Sequence, residues 1–165
     1  ELIASYKTSE HSCVRDGVVF ALIGIDNRIA IEALVELSKD KYCFIRDWAV
    51  FGLGSLIDTD STVIREALYE RLSDKHQKTK EEAIVGLARR KDLRVKNIIE
   101  QELISKSYGH LLFDAIEELP DITFLPLLED DLLTCKTDAD IDPRWIEDLE
   151  KCIENLKASN SPNPS

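Results

Sequence analysis

One nine-residue pattern occurs three times in register along the chain, and a repeat with this spacing admits few folds. Val14-Arg15-Asp16-Gly17-Val18-Val19-Phe20-Ala21-Leu22 returns 31 residues later as Ile45-Arg46-Asp47-Trp48-Ala49-Val50-Phe51-Gly52-Leu53. It returns again after 34 residues as Thr79-Lys80-Glu81-Glu82-Ala83-Ile84-Val85-Gly86-Leu87. A worn fourth copy, 32 residues further on, is Leu111-Leu112-Phe113-Asp114-Ala115-Ile116-Glu117-Glu118-Leu119. The columns Val14/Ile45/Thr79/Leu111, Val18/Ala49/Ala83/Ala115, Val19/Val50/Ile84/Ile116 and Leu22/Leu53/Leu87/Leu119 fall at i, i+4, i+5 and i+8. That spacing is one stripe of an α-helix. The small second column lets a neighbouring helix approach where a Leu would hold it off.

Between these helices lies a second set, Ile29–Leu37, Val63–Leu72 and Val95–Ile104, with Ile64, Leu68, Leu72, Ile98, Ile99 and Leu103 facing inward. Each repeat is therefore a helical hairpin, and no alternating strand pattern occurs. Nine residues before the small column stand Ser9, Asp40 and Asp74; three before it stand Arg15, Arg46 and Lys80. These suit a ladder of hydrogen-bonded ion pairs between stacked hairpins, and Asp40 and Asp74 suit helix capping. The fourth copy has Lys106 and Leu112 at these places, so the ladder is expected to stop there.

The Arg46-Asp47-Trp48-Ala49…Gly52-Leu53-Gly54 helix and the Leu72-Ser73-Asp74 lead into the next one resemble a HEAT-repeat protein, closest to the phycobilisome-lyase HEAT-like repeat type. The resemblance implies an all-α fold, a right-handed α-solenoid of about four HEAT-like helical hairpins. The repeats lie at about 9–38, 40–73, 74–105 and 106–133. Asp142-Pro143 is a strong helix start, and Trp145, Leu149, Cys152, Ile153 and Leu156 then share one face. The helix over 143–157 is expected to cap the exposed core of the last repeat, with an anchor for a partner protein as the alternative. Glu1–Lys7 is read as the end of an outer helix, Ile122–Leu133 as the fourth outer helix with Pro126 marking a kink or its first turn, and Thr134–Ile141 as a polar connector. Residues 158–165 are read as a disordered tail, leaving 1–157 as one domain. The chain begins at Glu1 and has no Met, which reads as a fragment or a processed chain.

With 165 residues, 44% apolar and 32% charged, the chain has enough apolar material for one core. Net charge is −11 and uneven: residues 106–165 carry five Lys/Arg against 14 Asp/Glu, the rest 16 against 18. Such a field repels a phosphate backbone and favours basic partners. The run Lys75, Lys78, Lys80, Arg89, Arg90, Lys91, Arg94 and Lys96 is a local exception, but it contains no aromatic residue to stack bases. Cys13, Cys43, Cys135 and Cys152 form no C-x-x-C pair, which argues against zinc and against a secreted disulfide frame. The residues from Glu1 on show no signal-peptide pattern and no apolar run long enough to span a membrane, and the expected address is cytoplasmic, although an address signal could lie upstream.

No catalytic, metal or cofactor constellation emerges. His11 and His76 occupy one repeat position two hairpins apart, roughly 20 Å at ordinary helix spacing, too far to share an ion. His110 has no acidic or cysteine partner at ligand spacing. HEAT-like deoxyhypusine hydroxylase holds iron with His-Glu pairs, and no His-Glu dipeptide occurs here. A phycobilin-lyase-like enzyme or modification factor carries no transferable signature, and a nucleic-acid-binding module conflicts with the acidity.

The columns that do not pack are the candidate binding surface. Asp16, Phe20, Asp47, Trp48, Phe51, Glu81, Glu82 and Val85 lie on the side of the repeated helix away from the core stripe. The polar members Glu82 and Asp114 in the Trp48 column imply that it faces solvent. In the HEAT architecture this helix lines the concave face, so by resemblance the strip floors a groove for a basic, partly apolar protein or peptide. The implied function is a non-enzymatic protein–protein interaction scaffold or adaptor, or an inhibitor of a basic partner of the immunity-protein kind. The competing reading has both Phe side chains tucked sideways into neighbouring helices and Trp48 packed over a turn.

Overall fold

The computed structural model describes residues 2–160. Among them every regular element is helical and none is a strand: α1 (Leu2–Tyr6), α2 (Ser12–Leu22), α3 (Arg28–Leu37), α4 (Cys43–Phe51), α5 (Thr62–Arg71), α6 (Gln77–Arg89), α7 (Lys96–Ser105), α8 (Leu111–Glu118), α9 (Leu125–Thr137) and α10 (Pro143–Ser159). Short 3₁₀ turns over Leu93–Val95 and Ile122–Phe124 lead into α7 and α9, and α4 runs on as a π-helical turn over Gly52–Leu56. No helix among these residues is long and apolar enough to cross a membrane.

The four repeated segments become α2, α4, α6 and α8, and each packs on the next, with α10 completing the row against α8. The intervening helices form a second row in which α3 meets α5 and α7 meets α9. The core lies between the rows. Ala49, Ala83 and Ala115 are fully buried, as are Val19, Val50 and Ile84, and Leu53 and Leu87. The closest approach lies one turn beyond the small column: a Cβ on Gly86 would lie 2.6 Å from the Gly54 Cα and 2.9 Å from Leu68 Cδ1, so α6 meets the π-helical extension of α4 backbone against backbone.

The π turn is held from α6. Arg90 is 8% exposed, and its Nη2 donates to the carbonyls of Leu53 (2.9 Å), Ile57 (2.8 Å) and Thr59 (3.1 Å). Its Nη1 donates to Gly54 (3.1 Å) and Gly86 (2.9 Å). A wide turn leaves carbonyls without in-helix partners, and one guanidinium with five donors serves them.

The ion-pair ladder forms. Arg15 Nε reaches Asp40 Oδ2 at 2.5 Å, and Arg46 Nη2 reaches Asp74 Oδ1 at 2.7 Å, each crossing from one hairpin to the next. The same arginines donate to Ser9 O (2.6 Å) and Asp40 O (2.8 Å), closing their own turns. Asp40 and Asp74 accept the N–H of Tyr42 (2.9 Å) and His76 (3.0 Å), each the residue just before its helix. They thus fasten the turn rather than the first helical N–H groups. The third rung has a different acceptor: Lys80 pairs with Glu102 on α7, and Lys106 turns to Asp130 at 2.7 Å.

The C-terminal expectations need two corrections. Residues 134–137, read as connector, continue α9, because Leu128 and Cys135 bury one face of it through that turn. Ala158 and Ser159, read as tail, close α10 and Asn160 caps it; the rest of the expected tail, 161–165, lies outside the described residues. Pro126 stands in the first turn of α9. Asp142 accepts the Arg144 N–H at 3.0 Å, and Leu149, Cys152, Ile153 and Leu156 are buried on the last row position.

Candidate protein-binding face

The eight expected site residues come from α2, α4 and α6, and they divide into an open aromatic part and a closed acidic part. Phe51 lies one turn beyond Trp48 on α4, and Phe20 holds the Phe51 position one repeat earlier, so the three rings converge between α2 and α4. Ring centroids are 5.1 Å apart for Phe20–Trp48 and 5.7 Å for Trp48–Phe51, the latter edge to face. Phe20 is 52% exposed; Trp48 and Phe51 are half-buried. The rings therefore support one another as a single apolar patch, with Phe20 rather than Trp48 presenting the most surface.

The carboxylates do not form the solvated rim expected of them. Asp47, Glu81 and Glu82 are only 7%, 7% and 5% exposed, and Val85 is buried with them. The polarity of the Trp48 column had pointed to solvent. The physical reason for the difference is that α6 is flanked closely by α4 on one side and α8 on the other. Side chains at 81, 82 and 85 enter those seams instead of standing on an open ridge.

Glu81 is committed to structure. Its Oε1 accepts the Gly109 N–H at 2.8 Å and Gln77 Nε2 at 3.0 Å, which pins the loop before α8. A Cβ on Gly109 would lie 2.9 Å from Glu81 Oε2, so a side chain there would push the carboxylate aside.

Glu82 is not committed. Its Oε2 is buried without a hydrogen-bond partner among the described residues, as are Asp47 Oδ1 and Asp16 Oδ1. Burial, then the neighbouring charge of Asp47, with smaller contributions from Asp114 and Glu81, pushes the Glu82 carboxyl up to about 7; Lys78 opposes them.

Lys78 is the residue that sequence reading missed. Its Nζ lies 3.3 Å from Asp47 Oδ2 and 5.6 Å from the centre of the Trp48 ring, on a side chain that is 56% exposed. It joins the aromatic and acidic parts. The signal was present, since Lys78 is four residues before Glu82 on one helix, but it was counted within a basic run. That run is largely neutralised inside the fold: Lys80 meets Glu102, Lys91 meets Glu118, Arg94 meets Glu66 and Asp92, Lys96 meets Asp121, and Arg90 is buried.

A second aromatic cluster closes the other end of the row. Tyr108, His110, Phe113 and Trp145 pack with centroid separations of 4.9 to 6.1 Å. His110, expected to lack an acidic partner, has Asp148 Oδ2 from α10 at 3.1 Å from its Nδ1; the pairing crosses between helices and leaves no mark in local spacing. Beside this cluster a cavity of about 470 Å³ opens between Tyr108, Trp145, Asp131 and Asp138. Tyr108 donates to Asp131 across its wall at 2.5 Å. Among the described residues no group of His, Cys, Asp or Glu is arranged to hold a metal ion. The four cysteines are unbridged, Cys13 and Cys43 exposed, Cys135 and Cys152 buried; burial pushes the Cys152 thiol up to about 12.

No family model and no curated protein matches the chain. Among solved structures, the X-ray structure of YibA from Escherichia coli is similar to it, with a TM-score of 0.73 and 30% sequence identity over 94% of this chain and 52% of YibA. The chain thus spans about half the length of the structure it matches.

Proposed function

We propose that the chain is a right-handed α-solenoid of HEAT-like hairpins acting as a non-enzymatic interaction module, and that it binds a basic, partly apolar protein segment on the face carried by α2, α4 and α6. The observation that carries this reading is the joining of two features at one place. An apolar patch of three rings lies beside carboxylate oxygens that are buried and unpaired. Exposed aromatic clusters are what protein interfaces use as anchors. Buried carboxylate oxygens without donors are a standing penalty that a cationic partner relieves. The internal pairing of the Lys75–Lys96 run, together with the net charge of −11, supports a protein partner over nucleic acid. The same properties suit an adaptor and an inhibitor of a basic protein equally well.

The test is capture of partners from native lysate by the wild type and by Phe20→Glu, a change at a 52% exposed position that should leave the helical content and melting temperature nearly unaltered. Basic proteins held by the wild type, released by roughly 0.5 M salt and lost from the Phe20→Glu bait, are the expected outcome. Identical proteins on both baits, or turnover of a supplied bilin by the purified chain, would overturn the proposal.

A further inference from the structure

We infer that the Asp47–Glu82–Trp48 corner is an arginine site, in which a partner's guanidinium displaces Lys78 and takes up the carboxylate oxygens that the chain leaves unpaired. The inference rests on the interaction-module reading and names the group that such a partner would insert.

Lys78 serves only part of the acidic charge around it. An ammonium is a compact charge, and here it reaches one oxygen, Asp47 Oδ2 at 3.3 Å. Asp47 Oδ1 and Glu82 Oε2, both buried, stay without donors, and Asp16 Oδ1 on the adjacent helix is left in the same condition. Asp47 and Glu82 are more than nine-tenths buried. Glu82 is placed where Asp47 from α4 and Asp114 from α8 both act on it. Excess buried carboxylate without donors destabilises a folded chain, so an interior built only for stability would have filled the position with an apolar or paired residue.

The missing chemistry is a set of donors in a fixed plane. Guanidinium presents five N–H groups in a fork matched to carboxylates, where ammonium presents three that radiate from a point. It also stacks on aromatic faces, and the Trp48 ring already carries a cation at 5.6 Å. Lys78 is held by its own helix, half in solvent, and it marks the position that a stronger cation would occupy. Phe20 and Phe51 then offer apolar contact to the residues flanking the inserted side chain. Charge selects the class of partner: both the corner and the molecule are acidic.

The probe is the peptide acetyl-Gly-Leu-Arg-Leu-Gly-amide, compared with the same peptide carrying citrulline, which keeps the shape of arginine and removes its charge. Binding is followed by the indole Nε1–H resonance of Trp48, assigned with a Trp145→Phe variant. The arginine peptide should shift this resonance saturably, and the citrulline peptide should bind at least tenfold more weakly. Asp47→Asn combined with Glu82→Gln should lose at least tenfold for the arginine peptide. Lys78→Gln should tighten binding several-fold, whereas Lys91→Gln, with the same change of net charge at a distant site, should not. Lys78 is largely exposed, so this last comparison does not depend on the double variant folding. Equal affinity for both peptides, or equal effects of Lys78→Gln and Lys91→Gln, would overturn the arginine site while leaving an apolar docking face intact. If neither peptide perturbs Trp48 and the Phe20→Glu bait retains every captured protein, the site and the interaction-module reading fall together.

Discussion

At the scale of single residues, position decides whether the same side chain is structural or available. Gly17 and Gly86 are both glycines of the repeated helix row, yet a Cβ on Gly17 meets nothing within 4 Å, while one on Gly86 meets the Gly54 backbone at 2.6 Å. Gly17→Ala should therefore stabilise the chain by about 0.5–1 kcal/mol through helix propensity. Gly86→Ala should destabilise it by about 2–3 kcal/mol through overpacking. Urea unfolding of the two variants gives the comparison directly. Glu82 supplies the second residue-level expectation. Its folded value of about 7 lies above the ordinary unfolded value near 4.3. The folded chain thus keeps a proton that the unfolded chain has released, and this contribution to stability falls away as pH rises from about 4.5 to about 7. Glu82→Gln should remove that loss, raising the thermal midpoint by about 5 °C at pH 8 and changing it little at pH 4.5. A midpoint that shifts equally at both pH values would show that the carboxyl is not held in this way.

At the scale of elements, the rungs between hairpins join turns that the apolar stripes alone would leave free to slide. Asp74 is held below its ordinary range chiefly by the Arg46 hydrogen bond, which outweighs its burial. Burial would raise Asp40, but the Arg15 guanidinium and the Tyr42 N–H hold it low. A lowered folded value contributes stability that is complete above the unfolded value near 3.9 and is lost as pH falls through the folded one. Asp74→Asn should therefore cost about 3 kcal/mol at pH 7, because it leaves Arg46 without its carboxylate in a mostly buried site. It should also blunt the loss of stability below pH 4, read from melting curves. The rungs from Arg15 and Arg46 were legible in the sequence because acid and base recur at fixed offsets from the small column. The third was not, since Glu102 replaces the turn aspartate from a different helix. The stripes were legible for the same reason: a period of 3.6 residues fixes which side chains share a face. Burial of Glu81 and Glu82 was not legible, because it depends on how closely α4 and α8 flank α6, and no local pattern encodes both distances. Arg90 was read only as part of a charge run, although it serves five carbonyls on three segments.

At the scale of the whole molecule, two rows of helices place the expected binding residues on neighbouring members of one row, and a cap closes that row with Leu149, Cys152 and Ile153. The unevenness of charge reads differently in three dimensions than along the chain. The acidic last third lies around the second aromatic cluster and the cap, while the first two thirds, nearly balanced, hold the corner where carboxylate oxygens lack donors. Under the proposed reading, net charge directs encounter, and the three buried oxygens without donors, on Asp16, Asp47 and Glu82, decide recognition. The ladder has one more consequence. Residues 40–73 receive a guanidinium at their leading turn, on Asp40, and extend one from Arg46 to the turn that follows. Their two ends are therefore complementary, and a second copy spliced in tandem would find a matching acceptor on one side and a matching donor on the other. Residues 74–105 spend Lys80 internally on Glu102 and lack that property. The second hairpin is thus the unit whose duplication the rungs would accommodate, whereas the third keeps its cation within itself and offers no rung to the turn that follows.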